Sequence, residues 1–123
     1  MGLEDKLSKY VKFPDNNVWL NKFILANLKG KDYLSVGGRY DTEEHSNILE
    51  QLAKSKKISF DKKSRALEGE SYKILSMGMC NIDVRKKFAY FFGQSVQYHI
   101  GVTDEGIEII KGLLPNWAIK HYK

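Results

Sequence analysis

Residues 41–65 read DTEEHSNILEQLAKSKKISFDKKSR, and the reading of this stretch decides the fold. Asp41 and Glu44 stand at the N-cap and N3 positions of a capping box. Ile48, Leu49, Leu52 and Ala53 recur at the spacing of one helical face. Ser46, Asn47, Glu50, Gln51 and Lys54 fall on the other face. An amphipathic helix running to about Lys54 is expected. Beyond it, Ile58 and Phe60 alternate with Ser59, which suits a strand. The polar run 61–69 suits a hairpin connection, and 71–76 reads as the returning strand, with Tyr72 and Ile74 on one face.

Working outward toward the N-terminus, Leu3, Leu7, Tyr10 and Val11 share a helical face, and Phe13-Pro14 closes that helix. Asp15 or Asn16 can cap a second helix running to Leu28, with Gly30 as its stop. Its apolar residues, Val18 to Leu28, cover nearly every face, so it is expected to be a buried central helix. Tyr33 to Val36 form a short strand that Gly37-Gly38 breaks.

Working toward the C-terminus, Asn81 caps a helix over 82–92, on the spacing of Val84, Phe88, Phe91 and Phe92. Val96, Tyr98, Ile100 and Val102 then alternate as a strand. Thr103 caps another helix, with Asp104 and Glu105 in its first turn, Ile107, Ile110 and Leu114 inward, and Pro115 as its stop. Trp117 and Tyr122 fall in a short last helical turn. The expected fold class is α+β: a small single domain over 1–123, with about five helices and a small antiparallel sheet.

Composition narrows the function classes. The 123 residues are 42% hydrophobic and 28% charged, an ordinary globular balance. No apolar run approaches a membrane span, and the first twelve residues lack the apolar core of a signal peptide. Together with a single cysteine, Cys80, this points to a cytoplasmic protein with no membrane partner. The net charge is +5. Residues 54–65 alone hold six basic side chains against Asp61, which accounts for all of it. Such local excess suits an anionic partner, although the same residues also suit a plain solvated turn.

Catalytic signatures are missing. His45, His99 and His121 show no local ligand spacing, so no metal site is expected. Cys80 has no flanking base and reads as an inert buried thiol. No Gly-x-Ser-x-Gly elbow or phosphate loop occurs, although Gly37-Gly38-Arg39 could aim backbone N–H groups at an anion. Asp61, Glu68 and Glu70 could hold Mg²⁺ in a nuclease, but a polar turn rarely clusters carboxylates closely enough, and a solvated loop is the stronger reading. The expectation is a non-enzyme without cofactors.

What remains is the basic stretch and the helix before it. Ser46, Asn47, Gln51 and Lys54 would face outward, and Lys56, Lys57, Lys62, Lys63 and Arg65 would follow in the hairpin. Arg85-Lys86-Lys87 forms a second basic cluster. Phosphate contacts need this kind of basic and polar surface.

The order of buried helix, capped amphipathic helix, strand and basic hairpin resembles a winged helix-turn-helix domain, with 61–71 as the wing. YHIGVTDEGIEIIKGLLP is similar to the strand-to-helix exit of such domains. The resemblance implies a recognition helix using Ser46, Asn47, Gln51 and Lys54, and a wing using Lys62, Lys63 and Arg65. Duplex DNA is then the expected partner, in a regulatory or accessory role. The alternative is a small interaction module or inhibitor that docks an acidic protein surface and exposes an apolar patch around Phe91, Phe92, Trp117 or Tyr122. Either is compatible with a homodimer.

Overall fold

A computed structural model of the protein describes residues 11–12, 20–39, 44–68 and 72–122. Within them a mixed six-stranded sheet carries one helix on each face. The strands run β1 (Val11–Lys12), β2 (Asn21–Leu28), β3 (Lys31–Arg39), β6 (Tyr72–Asp83), β7 (Phe88–Phe92) and β10 (Ala118–His121). Their order across the sheet is β1-β3-β2-β6-β7-β10. The four inner strands are antiparallel, while β1 pairs parallel to β3 and β10 parallel to β7. Two small hairpins stand apart: β4 (Phe60–Asp61) with β5 (Ala66–Leu67), and β8 (Gln94–Ser95) with β9 (Ile100–Gly101). The helices are α1 (His45–Ser55) and α2 (Asp104–Leu113).

The central strand is β2, where the sequence pattern had suggested a helix. A run that is apolar on every face fits a strand buried on both sides as well as a buried helix. Here it is the strand. Phe23 and Leu25 point into one core with Leu34, Val36, Phe91, Ile107 and Ile110. Ile24, Ala26 and Leu28 point into the other with Ile48, Leu49, Leu52 and Met77. Lys29 and Gly30, both at positive φ, turn β2 into β3, the two-residue geometry that matches strand twist. No helix stop is involved.

Five further expectations are corrected. The helix over 82–92 is the β6–β7 hairpin, closed by a turn over 84–87. Phe88, Tyr90 and Phe92 alternate with buried Ala89 and Phe91, so period two prevails over an accidental helical spacing. The alternating stretch 96–102 is mostly turn, with Val96 74% exposed and only Ile100–Gly101 in a strand. Gly37-Gly38 lies inside β3 rather than ending it. In place of a last helical turn, Trp117 and Tyr122 flank the edge strand β10. Val11 and Lys12 are strand, and the rest of the expected first helix lies outside the described residues. The helix-rich, winged-helix-like fold class is therefore replaced: among the described residues there are two helices and a predominantly β architecture.

Both helices do occur where expected. Thr103 caps α2, its Oγ1 accepting the Gly106 N–H at 2.9 Å. The N-cap of α1 is Glu44, which makes no side-chain capping bond, and Asp41 lies outside the described residues. No described helix is long and apolar enough to cross a membrane.

Candidate nucleic-acid interface

Helix α1 is amphipathic because its apolar residues return every three to four positions. His45, Ser46, Ile48, Leu49, Leu52 and Ala53 are buried against the sheet. Asn47, Gln51 and Lys54 form the exposed stripe, one turn apart. Lys54 lies in the last turn, where a cation complements the helix dipole. The chain then bends through Lys57 at positive φ, and the Ile58 N–H donates to the Ala53 carbonyl.

That bend delivers the β4–β5 hairpin next to the helix. Phe60 pairs with Leu67 and Asp61 with Ala66, which leaves 62–65 as the turn. Asp61 Oδ1 accepts the Lys63 N–H at 2.9 Å, and this bond holds the exposed carboxyl below its ordinary pKa. The Tyr98 hydroxyl donates to the Arg65 carbonyl, tying the turn to the β8–β9 hairpin. Burial raises the pKa of that hydroxyl, which favours the neutral donor. Lys62 Nζ lies 3.8 Å from Glu50 Oε2 on α1. With Lys62 83% exposed, the contact adds little stability. It does show that the turn sits beside the outward face of the helix.

Asn47, Gln51, Lys54, Lys57, Lys62, Lys63 and Arg65 are thus exposed along α1 and its adjoining turns. Two of the residues singled out in the sequence differ. Ser46 is buried, its hydroxyl donating to Glu44. Lys56 turns back over the Tyr33 ring, with Nζ 4.3 Å from the centroid, a cation–π contact that holds the ammonium against the sheet. The surface is not uniformly cationic, because Glu50, Asp61 and Glu68 lie among the basic groups.

The second basic cluster, Arg85-Lys86-Lys87, is a hairpin turn and not a helix segment. Antiparallel pairing puts this turn at the end of the sheet opposite the Lys29-Gly30 turn. The sequence reading missed the side-chain row on β7, although the alternation of Phe88, Tyr90 and Phe92 was visible in it.

Elsewhere an open cleft of about 590 Å³ is lined by Gly93, Gln94, Val102, Thr103, Asp104, His121 and Tyr122. In it His121 Nδ1 lies 3.0 Å from Asp104 Oδ1. Among the described residues no three His, Cys, Asp or Glu side chains group to hold a metal. Cys80 is fully buried, and burial pushes its thiol pKa far up, away from the reactive thiolate. Glu70 lies outside the described residues. No family model and no curated protein matches the sequence.

Proposed function

We propose that this protein binds nucleic acid through phosphate contacts from the α1 stripe and the β4–β5 turn. The observation that carries the reading is the 3.8 Å approach of Lys62 to Glu50, which makes helix and turn one continuous surface. Lys54, Lys57, Lys62, Lys63 and Arg65 then offer their charges to one polyanion, and the side-chain amides of Asn47 and Gln51 stand on the same exposed stripe. With the winged-helix architecture replaced, there is no ground for a recognition helix reading the major groove. Binding is sequence-independent in this proposal. A cytoplasmic setting belongs to the same proposal, supported by a lone thiol that needs no oxidised partner.

The test is an anisotropy titration against labelled duplex DNA, single-stranded DNA and RNA at two salt concentrations. Affinity falls steeply with salt, and the pair Lys62→Glu, Lys63→Glu weakens it at least tenfold at low salt. Absent binding, or binding indifferent to salt, would refute the proposal.

A further inference from the structure

The side of the sheet that bears α1 is only partly covered by it. Helix α1 packs over β2 and β3, and the core beneath it reaches β6 at Ile74 and Met77. Register carries the same side onward across the sheet. Met79 pairs with Phe92, Asn81 with Tyr90 and Asp83 with Phe88. On β10, Ala118 pairs with Phe88 and Lys120 with Tyr90. On β2, Lys22 pairs with Met79. The opposite side is fixed by Cys80, Ala89, Phe91 and Ile119, which pack in the α2 core. Phe88, Tyr90 and Phe92 therefore stand together on the α1 side, and none of them belongs to either core cluster.

The rings pack on one another instead. The Tyr90 and Phe92 centroids are 5.7 Å apart in a stacked pair, and those of Phe88 and Tyr90 are 6.2 Å apart. Tyr122, 58% exposed, meets Tyr90 edge to face at 5.0 Å. Asn81 donates to the Tyr90 hydroxyl. The charges on and around this row are mainly positive. Lys120 is exposed on β10 and Lys22 half-buried on β2, while Arg85, Lys86 and Lys87 are exposed in the adjoining turn. Among the described residues, the one carboxylate on the row, Asp83, accepts the Lys86 N–H, while Asp104 lies in the cleft beside Tyr122, 3.0 Å from His121.

Half-buried rings in a row on the strand surface, rimmed by cations, suit a single strand. Unpaired bases stack on aromatic faces whatever their sequence, and cations follow the phosphates. A duplex hides its base faces and gains nothing from the rings. A protein partner with an acidic surface would use the cations but leave the row of rings unexplained. Resting on the nucleic-acid function proposed above, we propose that Tyr90 and Phe92 on β7 and Tyr122 just beyond β10, with Lys120 and the 85–87 turn, form a stacking platform for single-stranded nucleic acid.

The test measures anisotropy with a labelled single-stranded RNA 12-mer, the matching DNA strand and the corresponding duplexes. Tyr122 is exposed, so its replacement spares the core. Tyr122→Ala weakens single-strand binding about tenfold and leaves duplex binding unchanged. Tyr122→Phe keeps the ring and binds as the wild type does. Lys120→Glu weakens single-strand binding as well. The pair Lys62→Glu, Lys63→Glu instead weakens single strands and duplexes alike. The platform is overturned if Tyr122→Ala binds single strands as the wild type does, or loses both forms equally. It is also overturned if sedimentation shows a dimer that Tyr122→Ala dissociates, since a second copy then covers the row. Duplex binding without any single-strand preference overturns the platform and leaves the α1 surface standing. If no nucleic acid binds, both fail.

Discussion

His45 stands at the first turn of α1 with its ring buried and Nε2 2.9 Å from the Gly78 carbonyl. A carbonyl only accepts, so Nε2 carries the proton and donates. Burial is the main influence on this ring and lowers its pKa below 6.5, with nearby Lys22 acting the same way and the bond to Gly78 opposing them. Well above pH 6.5 the ring is neutral in both folded and unfolded chains, and this residue adds no pH dependence. As pH falls from 6.5 toward the lower folded value, the unfolded chain gains a proton that the folded chain refuses, and stability is lost. Urea unfolding from pH 8 to pH 5 shows this decline in the wild type. His45→Gln, which keeps a donor but cannot titrate, has a shallower decline over the same window. The acceptor's own residue is equally constrained. A Cβ on Gly78 would lie 2.6 Å from the Phe92 carbonyl oxygen and 2.8 Å from Val102 Cγ2. A backbone oxygen cannot step aside without moving β7. Gly78→Ala is expected to lower the unfolding free energy by about 1–3 kcal/mol, seen as a lower urea midpoint at unchanged slope.

At the scale of elements, three hairpins share one construction. Each closes over four residues, and the fourth is non-glycine at positive φ: Arg65 at 58°, Lys87 at 52° and His99 at 55°. In each, the residue before the turn accepts a backbone N–H from inside it. Asp61 takes Lys63, Asp83 takes Lys86 and Ser95 takes Tyr98. Short polar side chains favour such local bonds, which is why they open turns. The left-handed position strains any L-residue, and a β-branched one most. Lys87→Gly is therefore expected to stabilise the protein by about 0.5–1 kcal/mol, after the entropy cost of glycine. Lys87→Val is expected to destabilise it, with thermal melts reporting both signs. The shared device also explains what was legible in the sequence. Asp61 to Arg65 read as a hairpin because it opens a polar run between the alternation at 58–60 and the strand-like stretch 71–76. Asp83 to Lys87 carries the same signal but precedes Phe88, Phe91 and Phe92, whose spacing imitates a helical face. The apolar faces of α1 and α2 and the Thr103 cap of α2 were readable because an amphipathic helix on a sheet keeps its period; the N-cap of α1, at Glu44 instead of Asp41, and the burial of Ser46 were not. β2 was not, because burial on both sides erases the period that separates strand from helix. Of the candidate site, the outward stripe and the basic turn were legible from local spacing. The inward turn of Lys56 toward Tyr33 was not, since it depends on a strand twenty-three residues away in the chain.

At the scale of the whole molecule, the two faces of the sheet have different surroundings. Helix α2 closes one side and returns the chain to the edge strand β10, with Ile107 and Ile110 in the core. The other side carries α1, the basic β4–β5 turn and the aromatic row. If phosphates are contacted from α1 and its turn, the number of cations engaged is measurable without a complex structure. Each neutralised phosphate releases condensed counterions, and log K falls against log salt by about 0.9 per contact on a duplex and about 0.7 on a single strand. Lys54, Lys57, Lys62, Lys63 and Arg65 all engaged on a duplex would give a slope of about −4.5. Removing two of those contacts with Lys62→Ala, Lys63→Ala is expected to make the slope shallower by about 1.8, whatever the sequence of the duplex. A reduced affinity with an unchanged slope would mean that these lysines act on the fold and not on phosphate. Tyr122→Ala, in contrast, removes stacking and no charge. Its single-strand isotherms should shift to weaker binding by a constant amount at every salt concentration, with the slope preserved, so that the two surfaces separate in one set of titrations.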